Sequence, residues 1–299
     1  MLRMLRLFAL PAIIIAVIAA AVLPAQRLRP SDVDRLPSKL PDARVAYGSD
    51  PLQFGELRLP KGTGPFAVAV VIHGGCWVSE FASLQNTAAM ADALRDAGLA
   101  TWNVEYRRLN NAGGGWPGTF ADIAAGTDHV RELAKQYPLD LRRVATIGHS
   151  AGGHLALWAA ARSRLSRTSA LHRDNPLPLR AAIALGGPGS LRDFSRYASS
   201  ICGSHVVEKL LGGTSESVPE RYAQASPVEM LPLGVPQLLI VGNSDAIMPR
   251  ASREAYAAAA RNAGDTVEIV EVPGGHFEII APTSAAWPAV QQKLLELLK

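Results

Sequence analysis

Three side chains in the sequence could together perform nucleophilic catalysis: Ser150, Asp245 and His276. A serine hydroxyl attacks a carbonyl readily only when a base takes its proton, and a carboxylate must hold that imidazole in the correct tautomer. The order serine, acid, histidine is one of the known chain orders of this triad. We therefore expect Ser150 to be a nucleophile, His276 its base and Asp245 the acid that orients the base.

Ser150 lies at the centre of a Gly-x-Ser-x-Gly motif, Gly148-His149-Ser150-Ala151-Gly152. A β-rich run precedes the motif and an alanine-rich segment follows it, which is the pattern of a strand, a tight turn and a helix. Glycines two residues away on either side leave room for the close backbone contacts of such a turn. The alternative is an ordinary glycine-rich turn with a capping serine, but the strand–turn–helix context favours the nucleophile.

The predicted acid and base each come directly after a predicted strand. Asp245 is in the loop after one apolar run, and His276 follows the next run through a glycine pair. Glu271 is a poorer acid because it lies inside the predicted strand. His149 and His154 adjoin the nucleophile in sequence, and we expect them to pack on flanking elements.

A second glycine pair follows an earlier β-rich run, in the segment His73-Gly74-Gly75-Cys76-Trp77. Glycines at the end of a strand allow backbone N–H groups to face a cleft, as the oxyanion of a tetrahedral intermediate requires. We expect the amides of Gly75, Cys76 and Ala151 to donate to the oxyanion, with Gly74 shaping the turn. Trp77 is expected to contact substrate, with plain packing as the alternative.

The elements that must position these residues alternate between apolar strands and helices. Strands that are apolar throughout and alternate with helices are typical of a parallel sheet covered on both faces. Such sheets place their chemistry in the loops after the strands. The predicted strands are 67–72, 100–104, 144–147, 181–185, 237–241 and 267–272, with 45–47 and 56–59 as an antiparallel edge. The predicted helices are 87–97, 120–135, 151–162, 251–263 and 285–298.

Residues 186–233 break this alternation. The stretch is rich in Gly, Ser and Pro and contains one predicted helix, at 206–211. It is too short to form a core of its own. We interpret it as a lid insertion over the predicted active site, within one domain that covers residues 30–299.

Residues 1–29 resemble an export signal. Arg3 and Arg6 precede an apolar run from Leu7 to Leu23, and further arginines follow it. The run is long for a cleaved signal peptide and near the lower limit for a membrane-spanning helix. We therefore expect an exported protein, either released after cleavage or anchored to the membrane by an uncleaved N-terminal segment.

Composition excludes several other classes. The chain has 299 residues, and without the four arginines of the first segment 26 basic residues balance 26 acidic ones, so nucleic-acid binding has no electrostatic basis. No nucleotide-binding or metal-binding motif occurs, so we expect no cofactor and no metal. Cys76 and Cys202 could form one disulfide, although two unpaired buried cysteines are the favoured interpretation.

The two glycine motifs together resemble the kynurenine formamidase and hormone-sensitive-lipase-like branch of the α/β-hydrolase superfamily. The resemblance rests on His73-Gly74-Gly75-x-Trp77 and Gly148-His149-Ser150-Ala151-Gly152 and extends over most of the chain after residue 29. It departs at Cys76, where lipase-like members commonly carry a third glycine. The resemblance implies an α/β-hydrolase fold with a mostly parallel eight-stranded sheet and an oxyanion hole in the loop at Gly74 and Gly75.

The function that follows is hydrolysis of a small carboxylic ester through an acyl-enzyme. An aryl formamide is the first alternative substrate. A peptidase is the second, since Ser150-Ala151-Gly152-Gly153 also resembles the prolyl-oligopeptidase motif. A non-catalytic binding module would be expected to lack a member of the triad, and none is missing. The sequence does not indicate an oligomeric state.

Overall fold

Eight strands and eleven α-helices occur in residues 27–298, the part of the chain that the computed structural model describes. Most of the predicted export segment, residues 1–26, lies outside the described residues. The strands are β1 (Ala43–Ala46), β2 (Phe54–Arg58), β3 (Phe66–Ile72), β4 (Ala100–Val104), β5 (Leu139–His149), β6 (Ala181–Leu185), β7 (Gln237–Gly242) and β8 (Val267–Val272). The helices are α1 (Pro30–Asp34), α2 (Ala88–Asp96), α3 (Gly118–Asp128), α4 (Val130–Leu133), α5 (Ala151–Ala161), α6 (Leu191–Ser195), α7 (Ser199–Cys202), α8 (Val206–Leu211), α9 (Pro219–Ala225), α10 (Arg250–Asn262) and α11 (Trp287–Leu298).

The strands form one sheet in the order β1-β2-β4-β3-β5-β6-β7-β8. Strands β3 to β8 are parallel, while β2 pairs antiparallel with both β1 and β4. Alternate side chains of β3 enter opposite cores: Val68 and Val70 on one face, Ala69 and Val71 on the other. The predicted eight-stranded, mostly parallel sheet with helices on both faces is confirmed.

Two predicted elements differ in extent from those observed. The single helix predicted over 120–135 is two helices, α3 and α4, separated at His129. The strand predicted at 144–147 lies within the longer strand β5, which continues to His149. Neither difference moves a residue of the predicted site, because Ser150 lies in the turn after this strand in both descriptions.

The insertion between β6 and β7 contains four short helices, α6 to α9, of which the sequence predicts only α8. Phe194, Val207 and Tyr222 from this stretch are buried in the larger core cluster, together with residues of β3 and α5. The insertion is therefore built into the core of the domain and contributes fixed side chains to its surroundings.

The four loops expected to carry chemistry follow β3, β5, β7 and β8, which together with β6 form a consecutive set of parallel strands. These strands are parallel neighbours, so their carboxyl ends lie at the same edge of the sheet. The topology therefore brings together the glycine loop after β3, Ser150 after β5 and the loops that carry Asp245 and His276.

Candidate active site

Ser150 occupies a sharp turn between β5 and α5, with φ 54° and ψ −120°. The positions two residues before and after Ser150 must be glycine. A Cβ at Gly148 would lie 1.9 Å from the carbonyl oxygen of Gly152. A Cβ at Gly152 would lie 2.1 Å from the carbonyl oxygen of Ile72. A serine held in an uncommon backbone conformation by its surroundings is characteristic of a nucleophile at a strand–helix elbow.

His276 and Asp245 are paired: His276 Nδ1 lies 2.8 Å from Asp245 Oδ2, and both side chains are almost fully buried. The other carboxylate oxygen, Oδ1, accepts hydrogen bonds from the amides of Ile247 (2.7 Å) and Met248 (3.2 Å). Burial disfavours the charge, but the hydrogen bond and charge of His276 and the two amides outweigh it, so the pKa of Asp245 is lowered. Asp245 is thus held ionised with its imidazole partner oriented.

Gly186, directly after β6, packs against the His276–Asp245 pair. It was not predicted from the sequence to belong to the site. It has a positive φ of 61°, and a Cβ there would lie 3.0 Å from two ring atoms of His276 and 3.3 Å from Asp245 Oδ2. Only glycine lets the backbone approach the pair this closely. The sequence feature that could have identified it is its position: it is a glycine directly after a strand whose neighbouring strands lead into residues of the triad.

The glycine loop after β3 is fastened from behind by His73. Its ring bridges the Gly74 carbonyl oxygen (Nδ1, 2.9 Å) and the carboxylate of Glu105 (Nε2, 3.0 Å), and it is fully buried. Glu105 also pairs with Arg108 at 2.9 Å and accepts a hydrogen bond from the amide of Leu84. Burial opposes the charge on Glu105, yet these partners prevail and lower its pKa to about 2.

The predicted oxyanion donors are available. Within residues 27–298, the amides of Gly75, Cys76 and Ala151 donate no hydrogen bond to another protein group. Gly74 lies against the nucleophile, since a Cβ there would be 3.2 Å from Ser150 Cβ. Ala151 is the first residue of α5, where amides without intrahelical partners and the helix dipole favour negative charge. The arrangement can therefore stabilise an anion beside Ser150.

A cavity of about 270 Å³ opens beside Ser150 and His276. Its lining comes from the N-terminal helix, the glycine loop, the insertion and the loops after β7 and β8, and consists of Pro30, Gly75, Cys76, Phe81, Ala82, Asn86, His149, Ser150, Ile201, Ile247, His276 and Phe277. Apart from the triad, the two buried polar side chains are His149 and Asn86. Such a site suits a small apolar group attached to a carbonyl.

Trp77 does not line this cavity. The expectation that it contacts substrate is therefore replaced by the alternative, which is packing. Its ring is fully buried and packs edge-on against His154 (5.3 Å between centroids) and Phe194 (5.7 Å). His154 Nε2 donates a hydrogen bond to the Ala225 carbonyl oxygen at 2.8 Å, so this histidine does not serve as the base. Trp77 therefore anchors the glycine loop to the insertion by packing.

His149 fills the variable position of the serine motif and supports the base. Its Nε2 lies 2.9 Å from the carbonyl oxygen of His276, so it donates a hydrogen bond there, and the two rings are 4.6 Å apart. Burial, followed by the neighbouring charge of His276, lowers the pKa of His149 to about 3. It stays neutral and fastens the His276 loop.

Cys76 and Cys202 form a disulfide, with 5.6 Å between their Cα atoms and a sequence separation of 126. The favoured expectation of two unpaired cysteines is therefore corrected. The bond joins the glycine loop to the end of α7, next to the cavity residue Ile201. The pairing depends on how the insertion folds back over β3, which spacing along the chain does not encode.

Two further features concern metals and membranes. Among the described residues, no group of three or more His, Cys, Asp or Glu side chains is arranged to hold a metal ion. None of the helices in residues 27–298 has the length and apolar character needed to cross a bilayer.

The sheet order, the serine elbow and the acid–histidine pair together define a protein of the α/β-hydrolase fold. Residues 56–259 match the model of the BD-FAE family, and the chain belongs to that family. The finer resemblance to the kynurenine formamidase and hormone-sensitive-lipase-like branch stays a prediction.

Two curated relatives and two solved structures that are similar to the chain are esterases by name. Esterase LipC of Mycobacterium tuberculosis is 25% identical over 244 residues, which are 79% of this chain and 60% of LipC. Esterase LipQ of the same organism is 23% identical over 72% of this chain and 51% of its own length. The chain thus spans between half and three fifths of these relatives.

Among solved structures, Esterase B of Lactobacillus Rhamnosis superposes with a TM-score of 0.73 at 22% identity, covering 89% of this chain and 88% of that one. Est2 of Thermogutta terrifontis, in a butyrate-bound structure, gives a TM-score of 0.68 at 20% identity, covering 86% and 92%. At this level of identity the likeness establishes the fold.

Proposed function

We propose that the chain is a carboxylesterase that works through a Ser150 acyl-enzyme. The proposal rests on one observation. Ser150, His276 and the glycine-loop residues Gly75 and Cys76, whose amides are free to donate, all line the same cavity. The membership of the BD-FAE family and the similarity to LipC support an ester as the substrate.

The residues divide the reaction into two halves. His276 Nε2 takes the proton of Ser150 Oγ as that oxygen bonds to the ester carbonyl carbon, and the resulting oxyanion accepts hydrogen bonds from the loop amides. The carbon–oxygen bond to the alcohol then breaks, and His276 returns its proton to the departing alcohol. A water molecule repeats the sequence on the acyl-serine, releasing the acid and restoring the hydroxyl.

The cavity indicates a short acyl group. Its volume of about 270 Å³ is just below the roughly 300–1,000 Å³ of drug-sized ligand sites. Its walls include the apolar side chains of Phe81, Ile201, Ile247 and Phe277. We expect propionyl and butyryl esters to be better substrates than long-chain esters when both are presented in solution.

The alternatives make different predictions for the same protein. An aryl formamidase would hydrolyse N-formylkynurenine faster than p-nitrophenyl butyrate, and a peptidase would cleave proline anilides. A binding module would hydrolyse none of them. A panel of these substrates together with p-nitrophenyl esters of increasing chain length therefore separates the candidate functions.

The test of the ester proposal compares Ser150→Ala with the control Ser166→Ala, an exposed serine beyond α5. We expect Ser150→Ala to lose p-nitrophenyl butyrate hydrolysis by at least about 10³-fold, since the nucleophile is removed, while Ser166→Ala keeps the wild-type rate. Circular dichroism should show both variants folded. Unchanged activity in folded Ser150→Ala would refute the proposal.

We also propose that the enzyme works outside the cytoplasm. The arginines and apolar run of the first 29 residues support export, and the Cys76–Cys202 disulfide supports an oxidising compartment. Protease accessibility in intact cells tests this, and digestion only after cell lysis would contradict it. N-terminal sequencing of the same material distinguishes a cleaved segment from an anchor.

A further inference from the structure

The chain reaches the catalytic domain at the active site itself. The amide of Leu28 donates to Glu278 Oε1 at 2.6 Å, two residues after His276. Pro30, the first residue of α1, lines the same cavity as Ser150. The side chain of Arg27 lies beside Gly275, with its Cδ 3.8 Å from where a Cβ of Gly275 would be.

This N-terminal arm, residues 27–34, is fixed to the domain along its length. Glu278 Oε2 accepts from the amide of Gly275 at 2.9 Å, so one carboxylate binds both the arm and the His276 loop. Val33 is buried in the core on one face of the sheet. Asp34 accepts a hydrogen bond from the cavity residue Asn86 at 2.9 Å. The arm is therefore a permanent wall of the cavity.

Few residues separate the apolar run of the N-terminal segment from this wall along the sequence. Only three residues separate Leu23 from Arg27, and four residue steps of extended chain span at most about 14 Å. Whatever surface the run occupies, Arg27 lies within that distance of its end, and the cavity residue Pro30 follows three residues later. The exposed cations Arg27 and Arg29 lie at the junction, and arginine side chains bind the phosphate groups of lipid headgroups.

The cavity rim has a second feature suited to a lipid surface. Phe81 lines the cavity and is 48% exposed, and it is one of two exposed large hydrophobic side chains in residues 27–298. The other, Leu40, is 89% exposed and is not a cavity residue. An exposed aromatic ring beside a tethered cavity mouth is placed to enter the interfacial region of a bilayer.

We propose that the apolar segment Leu7–Leu23 stays uncleaved in a membrane and holds the cavity mouth against the lipid surface, so that the enzyme takes apolar acyl esters from the bilayer. This inference rests on the proposed esterase function and adds where its substrate resides. The tether and the site act together because the arm that joins them is a wall of the cavity.

The test inserts a flexible linker of 20 Gly and Ser residues between Gln26 and Arg27 of the full-length protein. Such a linker adds a root-mean-square reach of about 25 Å and leaves every described residue unchanged. Wild type and insertion variant are reconstituted in phosphatidylcholine–phosphatidylglycerol vesicles. Each is assayed on hexadecyl butyrate dissolved in the vesicles, which combines the short acyl group that the cavity fits with a membrane-bound alcohol, and on soluble p-nitrophenyl butyrate.

We expect the insertion to lower kcat/KM on the vesicle-borne ester by about tenfold, because effective concentration falls with tether length, and to leave soluble hydrolysis unchanged. Equal rates of wild type and insertion variant on the vesicle-borne ester would overturn the inference, as would release of a cleaved enzyme from the vesicles. Loss of soluble hydrolysis in wild type would instead refute the esterase function.

Substitution at the rim provides a second readout. Phe81→Ser should lower the rate on the vesicle-borne ester more than the rate on soluble ester, because it removes the ring that enters the interface. The matched control is Leu40→Ser, which removes the other exposed hydrophobic side chain and should leave the ratio of the two rates unchanged. Equal effects of both substitutions on that ratio would contradict a membrane-facing mouth.

Discussion

The disulfide between Cys76 and Cys202 offers a prediction whose size follows from the structure. The bond closes a loop of 126 residues, and the loop-closure entropy of such a length corresponds to about 5 kcal/mol. Removal of native disulfides lowers the free energy of unfolding by about 2–5 kcal/mol. We therefore predict that Cys202→Ser loses about 2–5 kcal/mol of stability.

Activity should fall as well, because the bond holds the glycine loop. Cys76 and Trp77 both have positive φ, 54° and 58°, which non-glycine residues adopt at a cost and keep only when held. If the Cys76 amide moves away from Ser150, kcat falls by up to about 10²–10³-fold, the usual effect of losing one oxyanion donor.

Urea denaturation and p-nitrophenyl butyrate kinetics measure the two effects. Cys202→Ser is chosen because it leaves Cys76 in place, and Ser200→Ala, an exposed neighbour on α7, is the matched control. Wild type treated with reductant should behave like Cys202→Ser. An unchanged unfolding midpoint and an unchanged kcat in Cys202→Ser would refute a role for the bond in holding the loop.

Three further predictions concern the Asp245–His276 pair, the glycine that packs against it and the buried His154. Asp245→Asn should lower kcat for p-nitrophenyl butyrate by about 10⁴-fold with little change in KM, because it removes the charge that orients His276; a loss under tenfold would contradict the assigned acid. Gly186→Ala should lower kcat by at least about tenfold through displacement of His276. Gly264 also has a positive φ, 96°, but open surroundings, so Gly264→Ala should keep wild-type kcat. Equal kcat values for the two variants would refute the packing argument. Burial lowers the pKa of His154 to about 4, against about 6.5 in the unfolded chain. The contribution of neutral His154 to stability is therefore complete above pH 6.5 and is lost toward pH 4 by about 1.4 kcal/mol per pH unit. The difference between the urea midpoints at pH 7 and pH 5 should be smaller for His154→Gln than for wild type, and an equal difference would contradict this assignment.

The parts of the site that the sequence predicts are those set by strand order. Ser150, Asp245 and His276 each follow a strand, and parallel neighbours bring those strand ends together whatever the details of the loops. The glycines at 148 and 152 are readable for the same reason, since backbone contacts at the turn exclude a side chain.

What the sequence does not predict depends on contacts between distant segments. The Cys76–Cys202 bond and the packing of Trp77 against Phe194 both require the fold of the insertion, whose helices α6, α7 and α9 are too short for a clear apolar period. The role of the N-terminal arm as a cavity wall is not predicted from the sequence, because it arises from single contacts such as Leu28 with Glu278. The role of Gly186 likewise depends on residues that are distant in the sequence but adjacent in space.

The central claim is that Ser150 carries the acyl group, and the most direct measurement maps a covalent adduct. The enzyme is inactivated with diethyl p-nitrophenyl phosphate, digested and analysed by mass spectrometry. The account predicts one diethylphosphoryl group on the peptide that contains Ser150, appearing in step with loss of activity and absent from Ser150→Ala. An adduct on another residue, or complete inactivation without any adduct on Ser150, would contradict it.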